Sequence, residues 1–268
     1  MAFLLAKAKV PHRTAVNICV CLGLLTITVL FAWYPSAIAR FSWKLTGSDQ
    51  IAILLGRNDA HLMMEIGNYY FSAEARDIKR AARIYERALL ADPALLGPRY
   101  QLSRIAFLKN DMLRALALAN EEFKLHPEFK RLHYLRGLIY GYIGLFAEAE
   151  EDFKEFLKFS PKSWAAHNDL AWIYFMQGKF QEVEHIARQG LAHNPGNPWL
   201  LNAYGAALLN LDRKDEAKIA FASAEEAAAR LTTEEWGRAY PGNNPLIYER
   251  GLAEMRQTIK ENLQRASK

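Results

Sequence analysis

What this chain lacks narrows its chemistry first. Cysteine occurs twice in 268 residues, at Cys19 and Cys21. Two thiols inside one apolar run make no disulfide framework and no metal set, and the residues before them form no lipobox. Acidic side chains are missing from the first 47 residues, which carry Lys7, Lys9, Arg13, Arg40 and Lys44. Taking those five from the 34 bases leaves 29, against 29 acids, so the net charge of +5 belongs to the N-terminus alone. The rest of the chain is neutral, which argues against a nucleic-acid-binding surface. Motifs of catalysis are missing too: no G-x-S-x-G elbow, no H-E-x-x-H, no phosphate-cradling G-x-x-x-x-G-K, no G-x-G-x-x-G. The chain reads as a binder, not an enzyme, with no cofactor and no small-molecule substrate.

A second gap in charge lies between Arg13 and Arg40, where residues 15–34 (AVNICVCLGLLTITVLFAWY) are apolar apart from Asn17 and the threonines. Twenty residues at ~1.5 Å each match the ~30 Å hydrocarbon core of a bilayer. Trp33 and Tyr34 would lie at the interface, with Phe41 and Trp43 close behind. The reading is a basic segment at 1–14, a transmembrane signal anchor at 15–34 and a connector at 35–59. The tail Ala37-Ile38-Ala39 also fits a cleaved signal peptide, although the apolar run exceeds the usual h-region of ~7–15 residues. Lys7, Lys9 and Arg13 bias the N-terminus to the cytoplasm and the remainder to the far side, which in a bacterium is the periplasmic face of the inner membrane. In the connector, Ser48 and Asp49 can start a brief helix that Gly56 ends, and Asn58 or Asp59 can cap the next.

From residue 60 onward the chain repeats itself. Pro93, Pro127, Pro161 and Pro195 are each 34 apart. In the same register run a small residue (Ser103, Gly137, Ala171, Gly205) and its neighbour three on (Ala106, Tyr140, Tyr174, Leu208). A second set runs Ala81, Ala115, Ala149, Val183, Ala217, followed one turn later by Tyr85, Ala119, Phe153, Ala187, Phe221. Between the two sets stand Asn110, Gly144, Gly178 and Asp212, the residue types that adopt a left-handed conformation cheaply. Each unit is therefore two helices folded back at a corner and stopped by proline, and no such hairpin buries its apolar face alone.

This pattern resembles the tetratricopeptide repeat (TPR), a unit of 34 residues. Five units cover 60–95, 96–129, 130–163, 164–197 and 198–230. Gly67 lies 14 residues before Ala81, whereas Gly137 lies 12 before Ala149, so the first unit carries a two-residue insertion in its turn. Beyond the fifth unit, residues 231–268 read as capping helices. Thr232 and Glu235 have capping-box spacing, Pro245 suits the start of a helix, and Leu252, Met255, Ile259 and Leu263 form one apolar stripe.

The resemblance implies an all-α right-handed solenoid whose concave wall, lined by the first helix of each hairpin, holds a protein or peptide. Carried over position by position, that wall comprises Met64, Asn68 and Phe71; Tyr100, Arg104 and Phe107; Arg131, Tyr134 and Leu138; Asn168, Trp172 and Phe175; and Trp199, Asn202 and Ala206. Asn168 and Asn202, one repeat apart, would hold a peptide backbone. The carboxylate clamp of chaperone-binding members is incomplete, because Met64 and Leu135 stand where that subtype has bases beside Asn68 and Arg131. His133 and His167 share a repeat position, where packing at the seam between hairpins is expected. The architecture suggests a membrane-displayed scaffold for envelope assembly. An organelle-surface receptor and a secreted form are the alternatives.

Overall fold

The computed structural model describes residue 17, residues 20–23, residue 25, residues 34–72, 74–239 and 247–268. Most of the anchor at 15–34 falls outside these residues, as does the turn containing Pro245. Among the described residues there is no strand, and no helix is long and apolar enough to cross a membrane. The chain divides into two compact units, one built from residues up to Tyr69 with Arg83–Leu95, the other from Tyr70–Ala82 with Leu96–Lys268.

In the first unit, the stretch expected to be a connector is helical. Helix α1 spans Pro35–Thr46 and α2 spans Asp49–Leu55. Pro35 occupies the first turn of α1, where its missing N–H costs nothing. Gly47 closes the helix in the left-handed conformation (φ 64°), its N–H donating to the Trp43 carbonyl at 2.9 Å. The hairpin buries Ala39, Trp43 and Ala52. Trp43 meets Tyr69 of α3 (Ala60–Phe71) edge to face at 5.4 Å, so it serves the protein interior and not a membrane interface. Arg40 grips Asp59 through two bonds of 2.8 and 2.6 Å, while the same carboxylate accepts the Leu62 N–H that opens α3. Gly67 lies against the ring of Tyr85 on α4 (Ile78–Ala91).

The second unit holds four complete hairpins: α5 (Pro98–Leu108) with α6 (Met112–Leu125), α7 (Arg131–Tyr142) with α8 (Phe146–Phe159), α9 (Trp164–Met176) with α10 (Phe180–His193), and α11 (Pro198–Asn210) with α12 (Lys214–Arg230). Asn110, Gly144, Gly178 and Asp212 have φ of 60°, 82°, 70° and 59°. At every corner the next N–H donates to the carbonyl five residues back, from Asp111 to Ala106, Leu145 to Tyr140, Lys179 to Tyr174 and Arg213 to Leu208, at 2.9–3.0 Å. Arg76, one repeat before Asn110, is also left-handed at 43°. The second helices α4, α6, α8 and α10 all stop two residues before their proline, since the residue ahead of a proline avoids helical geometry.

Size complementarity fixes the crossing inside each hairpin. Where the second helix offers Tyr85, Phe153 or Phe221, the first has glycine, and a Cβ on Gly67 or Gly205 would stand 2.6 or 2.7 Å from the ring. Where the second helix offers Ala119 or Ala187, the first carries Ser103 or Ala171. The three rings are wholly buried, each contributing about 1.5–3 kcal/mol through burial. Hairpins stack through contacts of the first helices with one another and with the preceding second helix. One core runs from Ala149 and Phe153 through Leu170 and Ile173 to Ala207 without a break. This is an α-solenoid.

Two further helices follow, α13 (Thr233–Ala239) and α14 (Tyr248–Ala266). Thr232 and Glu235 exchange backbone bonds in a capping box, at 2.8 and 3.2 Å. Leu252 and Ile259 of α14 are buried, Met255 packs beside Ala224 and Ala228, and Leu263 beside Leu208 and Phe221. Arg256 donates to the carbonyls of Ala228, Ala229 and Leu231 at 2.9–3.1 Å, satisfying the open end of α12.

Candidate functional site

The first helices of the second unit carry an aromatic ladder. Phe107 on α5 meets Tyr142 on α7 edge to face at 5.2 Å, and Tyr142 meets Trp172 on α9 at 5.4 Å. Two ring contacts thus link three consecutive hairpins. Gly141 makes the second possible, since a Cβ there would lie 2.6 Å from the Trp172 ring. Tyr142 is 62% exposed while Phe107 and Trp172 are half-buried, so the ladder opens to solvent at its middle ring; Phe175 and Met176, further along α9, are 39% and 52% exposed. Phe175 is braced edge-on by Phe180 at 5.5 Å.

Beside the ladder the polar groups are mostly engaged. Arg104 lies over the rings of Phe71 and Tyr100, at 4.8 and 5.8 Å, and donates to Gln101 at 2.8 Å. Tyr100 also meets Phe129 at 5.2 Å. Tyr134 rests on Phe153 and Phe156, at 5.7 and 5.1 Å, and its phenol donates to Asp169 at 2.5 Å. Asn168 directs its amide at the same carboxylate, 3.3 Å away. Burial pushes the Asp169 carboxyl up to about 6, against these two bonds, which favour its ionised form. Arg131 is exposed at the start of α7. Trp199 stacks on Trp164 at 4.8 Å.

Two of the expected wall residues serve the fold directly. Asn68 lies in the first unit and accepts the Tyr85 hydroxyl at 2.8 Å. The Asn202 carbonyl accepts from Asn262 of α14 at 3.0 Å, so it is not open to a peptide as it stands. Leu135, at the clamp position, is 4% exposed and belongs to the core of α5–α7. Sequence reasoning missed Tyr142 and Asp169. Tyr142 was signalled by its place four residues beyond Leu138, on the same helical face; Asp169 was signalled by its place three before Trp172.

Buried charge elsewhere is architectural. Asp152 accepts from Arg136 at 2.9 and 2.7 Å and lies 2.7 Å from His133 Nδ1. Arg136 in turn covers the ring of Phe123 in the preceding hairpin at 4.2 Å. His167 sits 2.8 Å from the Ser163 carbonyl, and burial pushes its pKa down. Among the described residues no three metal-ligating side chains come together. A cavity of ≈ 650 Å³ lies among α8, α9 and α10, lined by Lys154, Tyr174, His185 and Gln189 and by none of the ladder residues.

No family model matches the chain, and no curated protein does. Solved structures do. A crystal structure of the MamA protein is 19% identical, with 65% of this chain aligned to 94% of that one at a TM-score of 0.57. YrrB, described as a TPR protein with an unusual peptide-binding site, is 15% identical over 67% of this chain and 91% of its own, with a TM-score of 0.57. TTC0263, a thermophilic TPR protein of Thermus thermophilus, is 18% identical over 73% and 98%, with a TM-score of 0.52. The fold is that of TPR proteins.

Proposed function

We propose that this protein is a non-enzymatic scaffold, anchored in a membrane by residues 15–34, that captures an extended segment of a partner protein along the first-helix wall. The observation that carries this reading is the ladder Phe107–Tyr142–Trp172, which links three hairpins and opens to solvent at Tyr142, with Phe107 and Trp172 half-buried on either side. A rigid aromatic strip backed by packed core loses little freedom on binding and buries much apolar area. Its open, linear form suits an extended chain with apolar side chains, and the peptide-binding site described for YrrB supports the same use of the fold.

The anchor is supported by the length and apolarity of residues 15–34, flanked by Lys7, Lys9 and Arg13. Retention is favoured over cleavage because Ala39 is fully buried within α1; cutting after it would remove the first turn of that helix. We place the protein in a bacterial inner membrane with its repeats outside the cytoplasm, positioning components of an envelope complex. A photo-crosslinking residue at Tyr142 in intact membranes should trap a partner that the same residue at Leu113, on the second helix α6, does not. Equal trapping at both positions would remove the wall from the reading. Protease added to sealed spheroplasts should cut the repeats; protection would reverse the orientation.

A further inference from the structure

The α1–α2 hairpin presents two faces of opposite use. One packs inward through Ala39, Trp43 and Ala52. The other offers Phe41, Leu45, Ile51 and Leu54 to solvent, at 67%, 69%, 50% and 73% exposure. Phe41 with Leu45, and Ile51 with Leu54, each stand one helical turn apart, so two short, adjoining helices leave four large apolar side chains exposed, the kind of surface that marks a docking site.

Charge and position select the occupant. No carboxylate faces outward on this hairpin: Asp49, its one acid, is 3% exposed, and Asp59 just beyond α2 is held by Arg40. Lys44 stands exposed beside Leu45. A hairpin with an exposed lysine and no exposed carboxylate of its own, the nearby Glu65 of α3 lying 4.0 Å from Arg40, complements the boundary between acyl chains and anionic headgroups. The helix starts one residue after the apolar run ends at Tyr34. Phe41, seven residues further, lies about 10 Å along the helix from that end, close enough to keep the hairpin beside the lipid surface.

We infer that the α1–α2 hairpin seats on the lipid surface through Phe41, Leu45, Ile51 and Leu54, making a membrane-lying foot for the first unit. This rests on the anchored reading above for its proximity to lipid. A foot of this kind would hold the unit at a fixed height and restrict its rotation on the anchor.

The test uses the full chain in vesicles of phosphatidylcholine and phosphatidylglycerol with brominated acyl chains, carrying one environment-sensitive thiol label at a time. Leu45→Cys and Leu54→Cys, in a background with Cys19 and Cys21 replaced by serine, report on the foot. Native Cys21 with Cys19→Ser reports on the anchor, and Lys162→Cys, on an exposed turn of the second unit, gives the baseline. Labels at 45 and 54 should be quenched at least twofold more than at 162. Quenching at Cys21 with none at 45 and 54 leaves the anchor standing and overturns the foot. Blue-shifted emission at 45 and 54 without quenching assigns the face to a protein, a second copy included, and also overturns it. Quenching at 45 and 54 but not at Cys21 upholds the foot and removes the anchor, and quenching at neither removes both.

Discussion

A Cβ on Gly205 would lie 2.7 Å from the ring of Phe221, whereas one on Gly137 would lie 3.1 Å from Phe153. The first distance is closer than a real contact permits; the second asks the ring to yield by a few tenths of an ångström. Replacing glycine by alanine in a helix otherwise gains about 0.5–1 kcal/mol, set against an overpacking cost of about 1–3 kcal/mol. Gly205→Ala should therefore destabilise by about 1–2 kcal/mol, and Gly137→Ala should stay within about 0.5 kcal/mol of the parent. Urea midpoints of the two variants decide it, and equal shifts would show that crossing distance does not govern the hairpin.

The Asp152 carboxylate, 3% exposed, is shared by Arg136 and His133. Removing one partner of a buried charge cluster leaves the others without their counter-ion, a loss of about 3–5 kcal/mol. Asp152→Ala should reach that range. Asp152→Asn, which keeps one acceptor for Arg136, should cost less. If thermal unfolding of both variants matches the parent, Arg136 is held by Phe123 stacking and not by charge.

The repeat was legible because its determinants are local and categorical. A left-handed corner accepts few residue types, and proline stops a helix wherever it falls, so Asn110, Gly144, Gly178, Asp212 and the four prolines marked the corners and ends. The first unit's insertion was legible as well, since Ile78 keeps the 34-residue register of α6, α8, α10 and α12 while Gly67 slips by two. Helix α1 was not. Pro35 reads as a breaker when it follows an apolar run, yet at the first turn of a helix it is an initiator. At the site, ring identities showed in the sequence but their partners did not. Asn202 looked open until Asn262, sixty residues away, proved to hold it, and Tyr142 joined the ladder only through room left by Gly141.

Asp169 gives the fold a pH dependence of defined sign. Its carboxyl titrates at about 6 in the fold and at 3.8 otherwise, so between these values the folded chain holds a proton that the unfolded chain has released. The contribution is whole below pH ~4, declines as pH rises through ~6, and is absent above. Two pKa units correspond to about 3 kcal/mol, a ceiling here because the residue is only partly covered. Asp169→Asn keeps an acceptor for Tyr134 without the charge. It should match the parent near pH 4 and exceed it by about 1–2 kcal/mol at pH 7.5 in urea titrations; a difference that does not change with pH would refute the assignment.

The wall itself is best probed where binding and folding separate. Trp172 fills the space Gly141 leaves, and Tyr134 supports Phe153, Phe156 and Asp169, so alanine at either position should cost about 1–3 kcal/mol of stability as well as binding. Tyr142 is 62% exposed, and its truncation should change stability by less than about 1 kcal/mol. If the ladder is the contact surface, Tyr142→Ala should weaken capture of a partner peptide at least tenfold, worth about 1.4 kcal/mol. Fluorescence titration of the full chain in nanodiscs, with a peptide selected on the parent protein, measures that loss. Unchanged affinity, with Trp172→Ala weakened only in proportion to its unfolding, would move the ligand to the surface of α8 and α10, where Lys154, His185 and Gln189 line the cavity.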